Sequence, residues 1–321
     1  MNVFRRRSPS DLDEEILQSE AVDEPLDVDD LEDESDVRRR RRRRLQWIKR
    51  HQLGLIGIFL VGLMVLAAAL GPILLDVDPN AQDLRARLLT PFSTSESGTF
   101  YLLGTDANGR DVFARVLAGG RVSLGVAGLG LLLGCSIGLI MGVASGFYGG
   151  LTDNAIMRFV DAQLALPVLI SAMFIATILG TGFWNTGLTL GFAGWPIYAR
   201  LIRADVLKIR EEEYLEAGIS MGGNDGWLLG RHVLPNLISA VAVVASLEMG
   251  RLILIESGLS YLGMGMQPPD ASWGSMIRSA QSYIFIAPHL SIVPGVAIVA
   301  TVLGLNLLGD WVRDILDPRI D

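Results

Sequence analysis

The chain has 321 residues, of which 50% are hydrophobic and only 19% charged, with a mean hydropathy of +0.40. Soluble globular chains carry about 25% charge, and four runs here (Gln52 to Leu75, Val122 to Thr152, Ala162 to Ala199 and Ser279 to Gly309) contain no Asp, Glu, Lys or Arg. Runs of that length exclude a soluble fold and predict a polytopic membrane protein, since a span needs roughly 20 apolar residues. The net charge of −8 is local: residues 1–37 hold fourteen Asp/Glu against three Arg, and the remainder holds 24 Lys/Arg against 21 Asp/Glu, which gives no case for nucleic acid.

Residues 1–37 are acidic, poor in aromatics and without apolar periodicity, so they are expected to stay disordered. The run Arg38 to Arg44 follows, then Lys49 and Arg50, directly before the first apolar run. In that position it is a topology anchor that also attracts anionic membrane lipid. Residues 1–44 therefore form an acidic, then polyarginine, cytoplasmic tail. No cleavable signal peptide is expected, because the first apolar run begins only after residue 51. Cys135 is the lone cysteine and leaves no disulfide within the chain.

Six transmembrane helices are predicted, at about 52–75, 122–146, 160–180, 184–201, 237–262 and 288–309, giving an all-α fold. The run Ala162 to Ala199 is too long for one helix, and Gly180 to Asn185 breaks it into a hairpin. With the N-terminus inside, the inner flanks hold 17 Lys/Arg and the outer loops six, so both termini are placed inside. Five of the six outer arginines fall in the first outer loop, about 76–121.

The segment after span four, 203–236, is then cytoplasmic. It begins as a charged helix in which Glu211, Glu212 and Glu213 give way to Leu215, Ala217 and Met221, with Gly218 and Ser220 between. The stretch Gly222-Gly223-Asn224-Asp225-Gly226 is a stop and turn. An apolar helix restarts at Trp227, and Pro235 marks entry to span five. The small residues would let another backbone approach, which suits docking of a cytoplasmic partner better than simple connection.

In span five, Glu248 and Arg251 are three apart and can pair on one helix face. Glu256 is one turn further on. An ionisable group at that depth faces a pathway or another subunit, or is hydrogen-bonded internally. Gly125, Gly128, Gly130, Gly134 and Gly138 suggest close helix packing. No Gly-Lys-Ser/Thr phosphate loop, no metal-ligand spacing among His51, His232 and His289, and no nucleophile elbow is present, so the chain is not read as an enzyme.

Glu216-Ala217-Gly218, then Gly222, then Arg231 to Asn236 (RHVLPN) resembles the EAA loop of binding-protein-dependent ABC importer permeases. Gly218 stands where that pattern has its second Ala, which keeps the site small and weakens the helix by about 1 kcal/mol. Leu103–Leu124, Gly146–Pro167, Ser260–Met276 and Asn306–Arg319 are similar to the C-type permease of dipeptide and oligopeptide importers, as is the region from Lys49 to Asp83.

The resemblance implies a type I ABC importer permease fold in a bacterial inner membrane. Residues 45–102 would be an N-terminal region with the first span, and 103–321 the permease domain. It implies a B-type permease partner, two cytoplasmic ATPases and an external peptide-binding protein. Glu213, Glu216, Ala217, Gly218, Gly222 and Gly223 would couple to an ATPase, and Glu256 would be a pathway or inter-subunit candidate. No cofactor is expected in this chain; ATP and Mg would be used by the ATPases. Nickel permeases share nearly all these motifs and are the alternative. A secondary transporter would need an ion site and inverted repeats, and neither is visible.

Overall fold

The computed structural model describes residues 52–74 and 77–316. The expected acidic tail and polyarginine anchor lie outside the described residues. Among those described, ten helices and one two-stranded ribbon occur. Helix α1 is Gln52–Leu74. A long loop follows with an antiparallel ribbon, β1 (Ser93–Thr94) and β2 (Phe100–Tyr101), in which Ser93 faces Tyr101. The long helices α2 (Val112–Tyr148) and α5 (Phe183–Arg210) are separated by α3 (Gly150–Leu164) and α4 (Val168–Leu179). Two short helices come next, α6 (Glu213–Ser220) and α7 (Asp225–Leu228). A π-helical turn, Leu229–Val233, joins α7 to α8 (Leu234–Leu262). Helices α9 (Trp273–Ala280) and α10 (His289–Leu316) complete the fold.

Helix α2 starts where Asp111 caps it, its carboxylate accepting from Phe113 N at 2.8 Å, which satisfies an otherwise orphan donor. The helix is ten residues longer at its outer end than the predicted span. It packs along α5 through Gly130, Gly134, Gly138, Gly142 and Gly146, one every four residues. A Cβ on Gly138 would sit 2.4 Å from Tyr198 Cβ, and one on Gly142 would sit 2.7 Å from the Ala199 carbonyl. In lipid, where apolar burial against tails gains little, such close backbone approach is what holds helices together. Of the glycines named from the sequence, Gly130, Gly134 and Gly138 lie in this seam. Gly125 meets α5 as well, but only at the ring of its first residue, Phe183, and Gly128 touches only Met249 Cε at 4.0 Å. On the other side of the bundle, α1 crosses α10 at Gly57 and Gly304, where added Cβ atoms would come within 2.9 Å of facing atoms.

Among the described residues, four helical segments are long and apolar enough to cross a membrane, within α1, α2, α7–α8 and α10; α3 with α4 makes a fifth if a bent pair counts as one span. The expected span 160–180 is therefore not one straight helix. It bends by 95° between Leu164 and Val168, because Pro167 lacks an N–H and steers Leu166 out of the helical region. The expected fourth span lies in α5, whose composition is less apolar than that of the others. Thirteen of its 28 residues are buried, so small and polar residues such as Thr186, Gly187, Thr189 and Gly191 replace lipid-facing bulk. Two carboxylates of α3 tie it to α5: Arg203 forks onto Asp153 at 2.5 Å, and Arg200 pairs with Asp161.

Three of the five arginines between 76 and 121 have side-chain partners inside the chain. Arg110 pairs with Asp106 at 2.7 Å, Arg115 donates to the Pro79 carbonyl and Asn80, and Arg87 donates to the Ala107 carbonyl. They serve to fold the loop onto the start of α2.

Candidate functional site

The segment Glu213 to Val233 is a compact helical hairpin. Helix α5 runs unbroken to Arg210 and α8 starts at Leu234, so the connector is shorter than the 203–236 read from sequence. Glu211 to Glu213 turn the chain, and α6 follows for two turns. It ends at Gly222, whose φ of +83° is the left-handed conformation that L side chains avoid. Gly223 N–H then reaches back to the Gly218 carbonyl at 3.0 Å, the six-to-one bond of a Schellman cap. Two residues on, Asn224 caps α7 by accepting from Trp227 N at 2.8 Å.

One face of this hairpin is buried. Leu215 and Leu228 join Val233 and Leu237 and, from α5, Tyr198, Ile202 and Val206 in a single apolar cluster. The cluster fixes α6 to both neighbouring spans. Gly218 belongs to that buried face: a Cβ there would lie 2.9 Å from Leu228 Cδ2. Gly223 meets the Trp227 ring in the same way, at 3.0 Å. These two glycines thus have a reason within the chain, whatever docks outside. The opposite face carries Glu213, Glu216, Ala217 and Ser220, all exposed, with Met221 79% exposed at the tip.

Tyr214, which the sequence did not single out, braces the hairpin together with Trp227, His232 and Asn236. The His232 ring stands edge-on to Trp227 at 4.8 Å and faces Tyr214 at 5.8 Å. Asn236 donates to the Tyr214 hydroxyl at 3.2 Å and to the His232 carbonyl at 2.7 Å. Partial burial, with the Glu212 carboxylate nearby, pushes the Tyr214 phenol above its ordinary value, so it stays neutral as an acceptor.

Midway along α8 the predicted pair forms, Arg251 Nη1 to Glu248 Oε2 at 2.8 Å. Glu256 is fully buried inside the chain. Its carboxylate accepts from Ser260 Oγ at 2.7 Å and from Ser257 Oγ at 3.4 Å, with Ser123 and Ser272 also bonded to it. Of the alternatives weighed for Glu256, internal hydrogen bonding is the one this structure displays. Glu213 to Gly223 and Glu256 are therefore not one site: the first lie in the hairpin that precedes α8, and Glu256 lies towards the far end of α8.

A helical bundle with several membrane-length helices and an inserted helical hairpin is the architecture of a multi-pass membrane protein. The backbone is similar to that of the MetNI methionine ABC transporter in an inward-facing state, with a TM-score of 0.53 and 17% identity over 63% of this chain and 96% of that one. Residues 134–321 match the family of binding-protein-dependent transport system inner membrane components, and 41–91 match the N-terminal transmembrane domain of oligopeptide transport permease C. A protein named as a peptide permease in Brucella suis is 39% identical over 84% of this chain and 88% of its own length. The glutathione transport system permease GsiD of Pectobacterium atrosepticum is 41% identical over 68% of this chain and 72% of its own. The nickel transport system permease NikC of Escherichia coli is 36% identical over 83% and 94%. The chain belongs to the binding-protein-dependent transport system inner membrane component family, and is a multi-pass membrane protein of ABC importers.

Proposed function

We propose that this chain is the permease subunit of an ATP-driven, binding-protein-dependent importer of peptides, forming half of the translocation pathway. The observation that carries the proposal is the hairpin: a capped α6 with one exposed face, fixed to α5 and α8 through one apolar cluster. A rigid-body push on α6 reaches two membrane helices without passing through a flexible linker. The docking residues are Glu213, Glu216 and Ala217 on the exposed face, with Gly218, Gly222 and Gly223 giving the hairpin its shape. The peptide substrate rests on the names of the relatives in Brucella and Pectobacterium.

The chain has no ATPase site of its own and no cofactor; two cytoplasmic ATPases use the ATP and Mg. A B-type permease supplies the other half of the pathway, and an external binding protein delivers the peptide. With six spans the termini share one side, and the excess of Lys/Arg on the inner flanks supports the cytoplasm as that side. The E. coli relative keeps nickel as a second reading. Reconstitution with these partners in proteoliposomes tests both. Uptake of labelled di- and tripeptides that needs ATP and binding protein is expected. Nickel uptake without peptide uptake would overturn the substrate, and nucleotide turnover by the isolated chain would overturn the division of labour.

A further inference from the structure

Glu256 is the one carboxylate among the described residues with no exposed surface, and burial of a charge at membrane depth is costly unless every lone pair is used. The hydroxyls around it are arranged as relays. Ser260 Oγ donates to the carboxylate and accepts from Met266 N at 3.3 Å. Ser123, on α2, bonds to the carboxylate and accepts from Trp273 N at 3.2 Å. Ser272 bonds to it as well and accepts from Ser275 N at 3.3 Å. A serine hydroxyl can donate once and accept at the same time, so a single acceptor group orients three hydroxyls, and through them three backbone N–H groups.

All three of those N–H groups belong to the outer segment 263–280, which carries α9. Close packing reinforces the attachment. Gly274 lies on the Ser257 backbone, where a Cβ would be 2.2 Å from the carbonyl oxygen, and Gly265 lies on Ser260. Trp273 Nε1 donates to the Val116 carbonyl at 3.0 Å, a second link to α2. Glu256 sits on the same unbroken helix that leaves the hairpin. At 1.5 Å per residue, Pro235 and Glu256 are roughly 32 Å apart along α8. One rod thus has the hairpin cluster at its inner end and this carboxylate at its outer end.

We infer that Glu256 is a positioning residue that pins the outer segment 263–280 to α2 and α8, so that the outer segment and the coupling hairpin shift with the same helix. The inference rests on the permease reading for its consequence in transport. The pin itself is a property of the chain and is tested separately.

The test uses the assembled importer in nanodiscs, in a Cys135→Ser background, with a spin label at Gln267→Cys in the outer segment. Control labels stand at Glu96→Cys in the first outer loop and Ser220→Cys in the hairpin; all three positions are exposed. In Glu256→Ala the immobilised component of the spectrum at 267 is expected to be lost, with the spectra at 96 and 220 unchanged. Glu256→Gln, which keeps one acceptor oxygen, should lose part of it. An unchanged spectrum at 267, or equal loosening at all three positions, would overturn the pin. If Glu256→Ala fails to assemble, Ser123→Ala, which removes one relay and leaves the α9 cap intact, is expected to mobilise 267. An unchanged spectrum there overturns the inference equally. Peptide uptake is measured alongside: a parent complex that imports no peptide refutes the permease reading, while mobility at 267 still decides the role of Glu256.

Discussion

The α2–α5 seam and the hairpin 213–233 both depend on glycine, for different reasons. In the seam, five glycines at a spacing of four let a long neighbouring helix lie against the backbone, and each added methyl would meet atoms of α5. In the hairpin, Gly218 and Gly223 make room for Leu228 and Trp227 of the hairpin itself, and Gly222 has open space around it but a left-handed backbone. Small residues in a sequence therefore signal close approach without saying what approaches. The seam is a long interface that many contacts hold; the hairpin is a two-turn helix that a few buried side chains and two caps hold.

That difference orders the expected effects of substitution. Gly138→Leu should be the most damaging, because both backbone and Cβ atoms of α5 block it. Overpacking of this kind costs about 3 kcal/mol or more where the neighbour cannot move. Loss of the folded, detergent-stable chain in a thermal-shift assay is expected; a stable Gly138→Leu protein would mean the two helices separate more easily than the seam implies. Gly222→Val should be milder. The left-handed conformation costs an L residue about 1–2 kcal/mol, and with no clash at that position the damage stays local. Faster amide exchange confined to 213–223, with ATPase co-purification reduced and spans still inserted, is the expected pattern.

Asn224→Ala removes one cap and should cost about 1 kcal/mol, visible as fraying of α7 in the same exchange experiment. Glu216→Ala should leave stability unchanged within about 0.5 kcal/mol, as for other exposed positions. Any loss it shows in ATPase co-purification would then report docking rather than folding. Comparing Glu216→Ala with Gly222→Val thus separates the face that docks from the turn that shapes it.

The helical bundle was legible from charge-free runs alone, because lipid demands long apolar stretches. The turn after α6 was legible because glycine clusters have few other uses, although it closes by Asn224 and the helix resumes at Asp225, inside the expected 222–226. Two things were not. The break at Leu164–Val168 lies inside an uncharged run, and a single proline does not reveal a 95° bend. The inward orientation of Gly218 depends on where Leu228 returns after the turn, a tertiary fact that no local pattern contains. A docking test therefore belongs at Ala217, one residue earlier and exposed, because a bulky side chain at Gly218 would disrupt the hairpin from within. Glu256 was visible as an ionisable residue in a span, but its serine partners on α2 and before α9 are separated from it by over a hundred residues in one case.

The central claim is that the exposed face of α6 meets an ATPase. A photo-cross-linking residue at position 217 or 221, in the assembled importer, tests it most directly. The account predicts an adduct between this chain and an ATPase subunit from both positions, and none from a control at Glu96. Absence of that adduct from both positions, while the ATPases co-purify with the complex, would show that they dock elsewhere and that the hairpin is only a connector.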